Sequence, residues 1–309
     1  NVVRVMPPCL GAASITGPER HTCEADPHAD PLSGTASPGA AVPSPAAVHE
    51  DIPKTCQASP TSSRLNVCSV GVPASSAVRT VALVGDSHAA EWEPALERVA
   101  NREGWHVVML LKGSCAFNTS QRRAGSGSRE ARSCAAWNRK AAVKLQQIPG
   151  LDLVIVSADI KDLYRASEGA SGYENAVSGY VAAWRGLPST VQVDVIADTP
   201  RPVPNVVDCL ALHRGQAAAA TACARPRTAA LGDDPLVSAA EELPARVRLV
   251  TMTDDFCSAT TCDPIIGHVT VYRDQSHISA TYSATLAPAL RRALAEADKP
   301  PRNSTGMGG

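Results

Sequence analysis

The sequence predicts an α/β fold, a three-layer α/β/α sandwich on a parallel sheet of five strands, and three observations carry that reading. Short runs rich in Val, Ile and Leu alternate with helical patterns from Val78 onward, the signature of successive βαβ units. The length of 309 residues allows two small domains or one large α/β domain, with a core that needs no cofactor. No repeat of fixed period is visible, which sets solenoids and propellers aside. Strands are expected at 79–85 (RTVALVG), 106–112 (HVVMLLK), 151–158 (LDLVIVSA), 191–198 (VQVDVIAD) and 247–252 (VRLVTM). Most are apolar without strict alternation, as a strand covered on both faces should be. Helices are expected at 89–104, 133–148, 173–187 and 279–297, where apolar positions recur at three and four. Right-handed crossovers then put helices on both faces of the sheet.

The folded body is expected over 51–298. Residues 1–50 are rich in Pro, Ala, Gly, Ser and Asp and read as a linker or arm; 299–309, with its helix breakers, reads as a flexible tail. Net charge is −1 and aromatic residues make up 4%, so the chain offers neither the field nor the stacking platforms that nucleic acid requires. No run of about 18 apolar residues and no signal peptide is present, so an extracytoplasmic location would require an upstream segment.

The ten cysteines fall into neighbours along the chain: Cys9 and Cys23, Cys56 and Cys68, Cys115 and Cys134, Cys209 and Cys223, Cys257 and Cys262. An even number without C-x-x-C or finger-spaced histidines reads as disulfides in an oxidising compartment rather than a metal site, with neighbour pairing as the expected connectivity. No metal and no cofactor are expected.

The segment VALVGDSHAAEWEPAL carries the first chemical signal. A buried strand ends at Gly85, turns through Asp86 and Ser87 and enters a helix, which puts Ser87 at the carboxyl edge of the sheet, where doubly wound folds bind ligands. Backbone amides of the first helical turn there can hold a developing oxyanion. Taken alone, Asp86 or Ser87 reads first as a helix cap. YRDQSHIS changes the balance: Asp274 precedes His277 by three residues, so one ring nitrogen can meet the carboxylate while the other points outward as a general base. Ser87, His277 and Asp274 then form a nucleophile, a base and its orienting acid. The competing account makes Asp274 a cap for the last helix and His277 a surface residue.

Together these residues resemble the SGNH (GDSL-like) hydrolases, and more narrowly the SGNH domain fused behind a membrane acyltransferase-3 domain in bacterial glycan O-acyltransferases. The segments DIPKTC…NVCSVG, TVALVGDSHAAEWEPAL, LLKGSCAF, IADTPRP…DCLA and DDFCSATTCDP…VYRDQSHIS look like that subgroup, in order, over roughly 51–295. The resemblance implies a flavodoxin-like, doubly wound SGNH hydrolase fold, catalysis by Ser87, His277 and Asp274, and an oxyanion hole built from the amides of Ser87 and Gly113. Gly113 reads equally as a turn glycine beside Cys115. The wider superfamily has a Gly-x-Asn-Asp block after the third strand, whereas this chain reads VSADIKD at 156–162. No Asn stands there, so the oxyanion hole is expected to have fewer side-chain donors. His88 and Asp159 are noted as candidates to line the substrate site. For His88 a side chain turned into the helix is the plainer account, and for Asp159 a solvated loop.

The activity expected is extracytoplasmic O-acyl transfer, in which Ser87 takes a short acyl group from a membrane acyltransferase-3 domain of the same polypeptide and passes it to a hydroxyl of a cell-envelope glycan. The Pro-rich segment at 1–50 suits a tether from such a membrane domain. A secreted esterase with the same triad, or a non-catalytic glycan-binding or interaction module on the same scaffold, are the alternatives. A monomer is expected.

Overall fold

The computed structural model describes residues 10–15, 41–121, 128–161, 164–213 and 219–298. Its main sheet contains β1 (Cys68–Gly71), β2 (Arg79–Gly85), β3 (Trp105–Leu111), β4 (Leu151–Ser157), β5 (Gln192–Ile196) and β6 (Val247–Val250). The spatial order is β1-β3-β2-β4-β5-β6. Strands β2 to β6 run parallel, in the 2-1-3-4-5 order of a doubly wound sheet, and the order reverses at β2. The α/β fold read from the sequence is therefore the observed one.

Strand β1 was not expected; it pairs antiparallel with β3 from Cys68 opposite Met109 to Gly71 opposite His106. Three half-exposed residues and an exposed Ser69 in a short segment show neither a continuous apolar run nor a clear alternation. The strands expected to reach Asp198 and Met252 stop at Ile196 and Val250. At Asp198 the reason is local: its carboxylate accepts the amides of Ile160 and Thr199, which turns the chain out of the sheet.

The principal helices are α1 (Ser87–Ala90), α2 (Glu93–Glu103), α3 (Ser128–Gln146), α4 (Gly172–Arg185), α5 (Val206–Leu212), α6 (Pro235–Glu241), α7 (Ala280–Thr285) and α8 (Ala287–Ala297), with single turns at Ala219–Ala222 and Arg227–Ala230. The helix expected over 89–104 is two helices, separated at Glu91 and Trp92. Pro94 lacks an amide proton and suits the first turn of a new helix better than the interior of an old one. One sheet face carries a core of Val81, Leu83 and Ile155 beneath Trp92, Leu96, Tyr282 and Leu290. The other carries Val84, Val154 and Val156 beneath Trp137, Tyr180 and Trp184. The middle strands are thus apolar on both sides, as their unbroken sequence runs predict. Trp92, Trp137 and Trp184 are fully buried core residues, while half-buried Trp105 lies under the Arg79 guanidinium.

The folded body begins earlier than Asp51. Leu10, Ala12 and Val48 are buried, the Ala12 amide donates to Thr285 Oγ1 at 3.1 Å, and the Gly11 amide donates to the Gly267 carbonyl at 2.9 Å. Val42 bridges Val269, and Asp51 accepts the Ala280 and Thr281 amides at the start of α7. A composition rich in Pro, Ala and Gly hides the few apolar anchors that make such an arm pack. The remainder of 1–50 and the tail at 299–309 lie outside the described residues.

Four disulfides join Cys56–Cys68, Cys115–Cys134, Cys209–Cys223 and Cys257–Cys262, the neighbour pairing expected. Cys9 and Cys23 lie outside the described residues. No helix among the described residues is long and apolar enough to cross a membrane.

Lys112, just past β3, is fully buried, and its ammonium donates to the carbonyls of Ser59 (2.7 Å), Pro60 (2.7 Å) and Ser62 (3.0 Å). It fastens the segment before β1 to the carboxyl edge of the sheet. Replacing it by Met, similar in length but without donors, removes these three hydrogen bonds, although the Ser59 carbonyl still accepts from the Ser62 amide and the Pro60 carbonyl from the Ser133 hydroxyl. Lys112→Met is expected to cost about 3 kcal/mol in urea denaturation, since each hydrogen bond to a charged group contributes about 1.5–3 kcal/mol and repacking recovers part of the loss.

Candidate active site

The site is built where the strand order reverses, at the carboxyl end of β2. Gly85 has φ +155°, and a Cβ there would overlap the Ser157 carbonyl oxygen and the Ala89 methyl group. Its missing side chain lets β2, β4 and α1 meet closely. Asp86 follows, 1% exposed, and its carboxylate accepts the His88 amide at 2.8 Å and the Asp159 amide at 3.1 Å. It caps α1 and ties the end of β2 to the loop after β4. Ser87, half-buried, opens α1, so its backbone amide has no partner within the helix.

His277 reaches the same edge from the loop before α7. Its Nδ1 donates to Asp274 Oδ2 at 2.9 Å, and Asp274 Oδ1 accepts the amides of Ser276 and His277, both at 2.8 Å. Arg273 pairs with Asp274 Oδ2 at 3.0 Å. Burial raises the Asp274 carboxyl, but its hydrogen bonds with His277 and the Ser276 amide outweigh that and hold it well below the usual range. Burial pushes His277 below its ordinary value; Asp274 pulls it up, and the charges of His88 and Arg273 push it down again. The outcome is a neutral imidazole with its Nδ1 proton fixed, and its Nε2 is buried without a hydrogen-bond partner among the described residues. Ser87 and His277 are brought to one edge but are not hydrogen-bonded to each other. Such bonds are commonly long without substrate and tighten in the reacting complex.

Glu91 docks the His277 loop on the Ser87 helix. It is 1% exposed; its carboxyl accepts from Thr199 Oγ1 and the Ile278 amide, each at 3.1 Å, and its backbone carbonyl accepts from Ser283 Oγ at 2.6 Å. Burial pushes its carboxyl up to about 8.

Next to it lies a buried charge network. His88, fully buried, donates from Nδ1 to Asp198 Oδ1 at 2.6 Å, and its ring centroid lies 4.8 Å from that of His277. Burial disfavours its charge, yet Asp198, Glu91 where it is ionised, and Asp86 raise it to about 10. Asp198 is held low: burial works against its charge, but His88, Arg201 and the Ile160 amide outweigh it. Arg201, 4% exposed, bridges Asp198 and Asp159.

Several expectations are corrected here. His88 does not line a substrate pocket, because its side chain is sealed inside and committed to Asp198. Asp159 keeps partial exposure, but its carboxylate is paired with Arg201 rather than left in solvent. The Gly113 amide, expected in the oxyanion hole, donates instead to the Ala58 carbonyl at 2.9 Å. His88, Glu91 and Asp198 cluster closely enough to suggest metal ligands. The oxygens of Asp198 are nevertheless already bonded to His88, Arg201 and two amides, so this donor set is spent. Glu91, Asp198 and Arg201 were missed in the sequence. The available signals were a carboxylate four residues after Ser87 on the apolar side of a helix, and an Asp at a strand end with Arg three residues on.

Comparison with known proteins agrees with this architecture. Residues 55–292 match the family described as the SGNH domain fused to AT3 domains. No curated protein sequence matches the chain. The periplasmic domain of a lipopolysaccharide acetyltransferase from Salmonella ser. Paratyphi A has a similar fold, at 12% identity and a TM-score of 0.54, over 73% of this chain and 90% of that one. A carbohydrate acetylesterase family member from Sinorhizobium meliloti aligns at 17% identity and a TM-score of 0.38, over 71% of this chain and all of that one.

The raised Glu91 carboxyl makes a prediction about stability. The folded chain keeps this proton up to about pH 8, whereas an unfolded Glu releases it near 4.5. The stability it contributes is present below pH 4.5 and lost as pH rises towards 8, at about 1.4 kcal/mol per pH unit for one proton. Glu91→Gln is expected to remove that slope from urea-denaturation stabilities measured between pH 5 and 8.

Proposed function

We propose that this chain, which belongs to the family of SGNH domains fused to AT3 domains, moves a short acyl group through Ser87 to a hydroxyl of a cell-envelope glycan. The observation that carries the reading is the His277–Asp274 pair: a neutral imidazole, its Nδ1 proton held by a carboxylate, its Nε2 buried, on a loop docked to the helix that begins with Ser87.

In this mechanism His277 Nε2 takes the Ser87 hydroxyl proton as Oγ bonds to the acyl carbon, and the carbonyl electrons move onto oxygen. The Ser87 backbone amide stabilises that oxyanion. His277 then gives its proton to the departing donor oxygen as the carbon–oxygen bond breaks, leaving an acyl-serine. A glycan hydroxyl enters by the reverse sequence: His277 removes its proton, the hydroxyl oxygen attacks the acyl carbon, and the proton returns to Ser87 Oγ. Asp274 keeps the ring in the required tautomer throughout. With the Gly113 amide committed to Ala58, and no Asn in the segment at 156–162, the oxyanion is stabilised by few donors. Such a site suits a donor already activated and delivered to it.

SGNH domains of this family are fused to AT3 domains, and in our reading an AT3 domain is the acyl donor, in the same polypeptide and at the membrane. Four disulfides fit an oxidising, extracytoplasmic compartment.

Intact-protein mass after incubation with p-nitrophenyl acetate tests this. The wild type is expected to gain one acetyl group and Ser87→Ala none. His277→Ala is expected to acylate at least about 100-fold more slowly, and Asp274→Asn by up to about 10,000-fold. Transfer from the acyl-enzyme to added glycan faster than to water supports the transferase; water as the preferred acceptor makes the chain an esterase. A folded, disulfide-bonded protein that forms no adduct with Ser87 overturns the reading.

A further inference from the structure

His88 is an odd residue to bury for packing alone. Its side chain is fully inside the protein, one Nδ1 proton is given to Asp198 at 2.6 Å, and Nε2 has no hydrogen-bond partner among the described residues. The Asp159 carboxylate is 3.6 Å from that nitrogen, beyond hydrogen-bonding distance. A buried ion pair of this kind adds little net stability compared with apolar packing. What it does provide is a charge in a fixed place, with the ring of His277 4.8 Å away between centroids.

We propose that His88, clamped by Asp198, is a positioning residue whose fixed imidazolium charge beside His277 keeps that base neutral at rest and strengthens it as an acid once protonated. This rests on the reading of His277 as the catalytic base. During acyl transfer His277 becomes an imidazolium twice, each time beside a second imidazolium. Like charges at this distance inside a protein disfavour the doubly charged state, so the proton leaves His277 readily for the departing oxygen. No proton moves to or from His88 itself. Three charged groups act directly on His277: Asp274 and Arg273 from its own loop and His88 from α1. Around His88 stand Asp86 and Glu91 from the same segment, Asp198 after β5 and Asp159 after β4, the last two bridged by Arg201. The clamp is needed because Glu91 is held neutral by burial, which leaves Asp198 as the principal counter-ion. His88 and His277 are thus two His–Asp pairs of opposite character, one buried and charged, one at the edge and neutral.

The experiment is the rate of Ser87 acylation by p-nitrophenyl acetate from pH 4 to 9 for the full chain, for His88→Gln and for Asp198→Asn, together with an NMR titration of the wild-type imidazoles. Both variants are expected to move the acid limb of the profile upward by about one pH unit. Rates then fall about 10-fold on the acid side and stay near wild type above the new limb. In the wild type His88 is expected to stay charged through pH 9 while His277 titrates below the ordinary imidazole range. An acid limb that stays in place, with any loss equal at every pH, overturns the proposal and makes His88 structural. So does a wild-type His88 that titrates near pH 6.5, a result that needs no variant to fold. Failure of the triad reading looks different: Ser87→Ala and His277→Ala would then acylate like the wild type, whatever the two rings titrate at.

Discussion

The site depends on one buried carboxyl group. Glu91 belongs to the segment that carries Ser87, yet its oxygens are shared between Thr199, after β5, and the amide next to His277. Three elements far apart in sequence are thereby set against one another to within hydrogen-bonding tolerance. Catalytic geometry needs that kind of support from outside the reacting groups, because a nucleophile and a base on separate loops drift unless something rigid couples them. Here the coupling is short and buried, and the Ser283 hydroxyl on the Glu91 carbonyl braces it from α7.

The charges around this tie are largely compensated, and one buried carboxyl is protonated. His88 is matched by Asp198, Arg201 by Asp198 and Asp159, and Glu91 remains neutral. Their concentration follows from topology. Where the strand order reverses, loops leaving adjacent strands diverge and open a crevice, and Asp86, Asp159 and Asp198 each sit just beyond the end of a strand around it. Amides left without sheet partners there bond to these carboxylates, which is how Asp86 and Asp198 each hold a neighbouring loop as well as a charge.

Much of the fold was legible in the sequence, because a strand buried on both faces writes itself as an unbroken apolar run and a packed helix as a repeat of three and four. The pairing of Asp274 with His277 was legible for a similar reason: it is local, and three residues in a turn suffice. What stayed hidden was non-local. Nothing adjacent to Gly113 reveals that its amide is taken by Ala58. A Glu beside a Trp in an amphipathic helix reads as a solvated residue unless the partner elements are known. Asp198 and Arg201 stood in a segment read as the tail of a strand and a loop. Leu10 and Val48 vanished into a composition that averages to a linker, although a few anchored side chains are enough to seat an arm.

The two outermost strands have a further consequence. Strand β1 is four residues long, closed off by a disulfide at Cys68 and a glycine at its end, and β6 is also four residues long, with Arg248 bonded to Asp194 and Asp298. Short, stapled or charged margins leave few free backbone groups for another chain to pair with. A sheet built this way resists growing by strand addition, whether in self-association or in capturing a partner's segment. In our reading the donor and the acceptor therefore meet the chain through the loops at the carboxyl edge, beside Ser87.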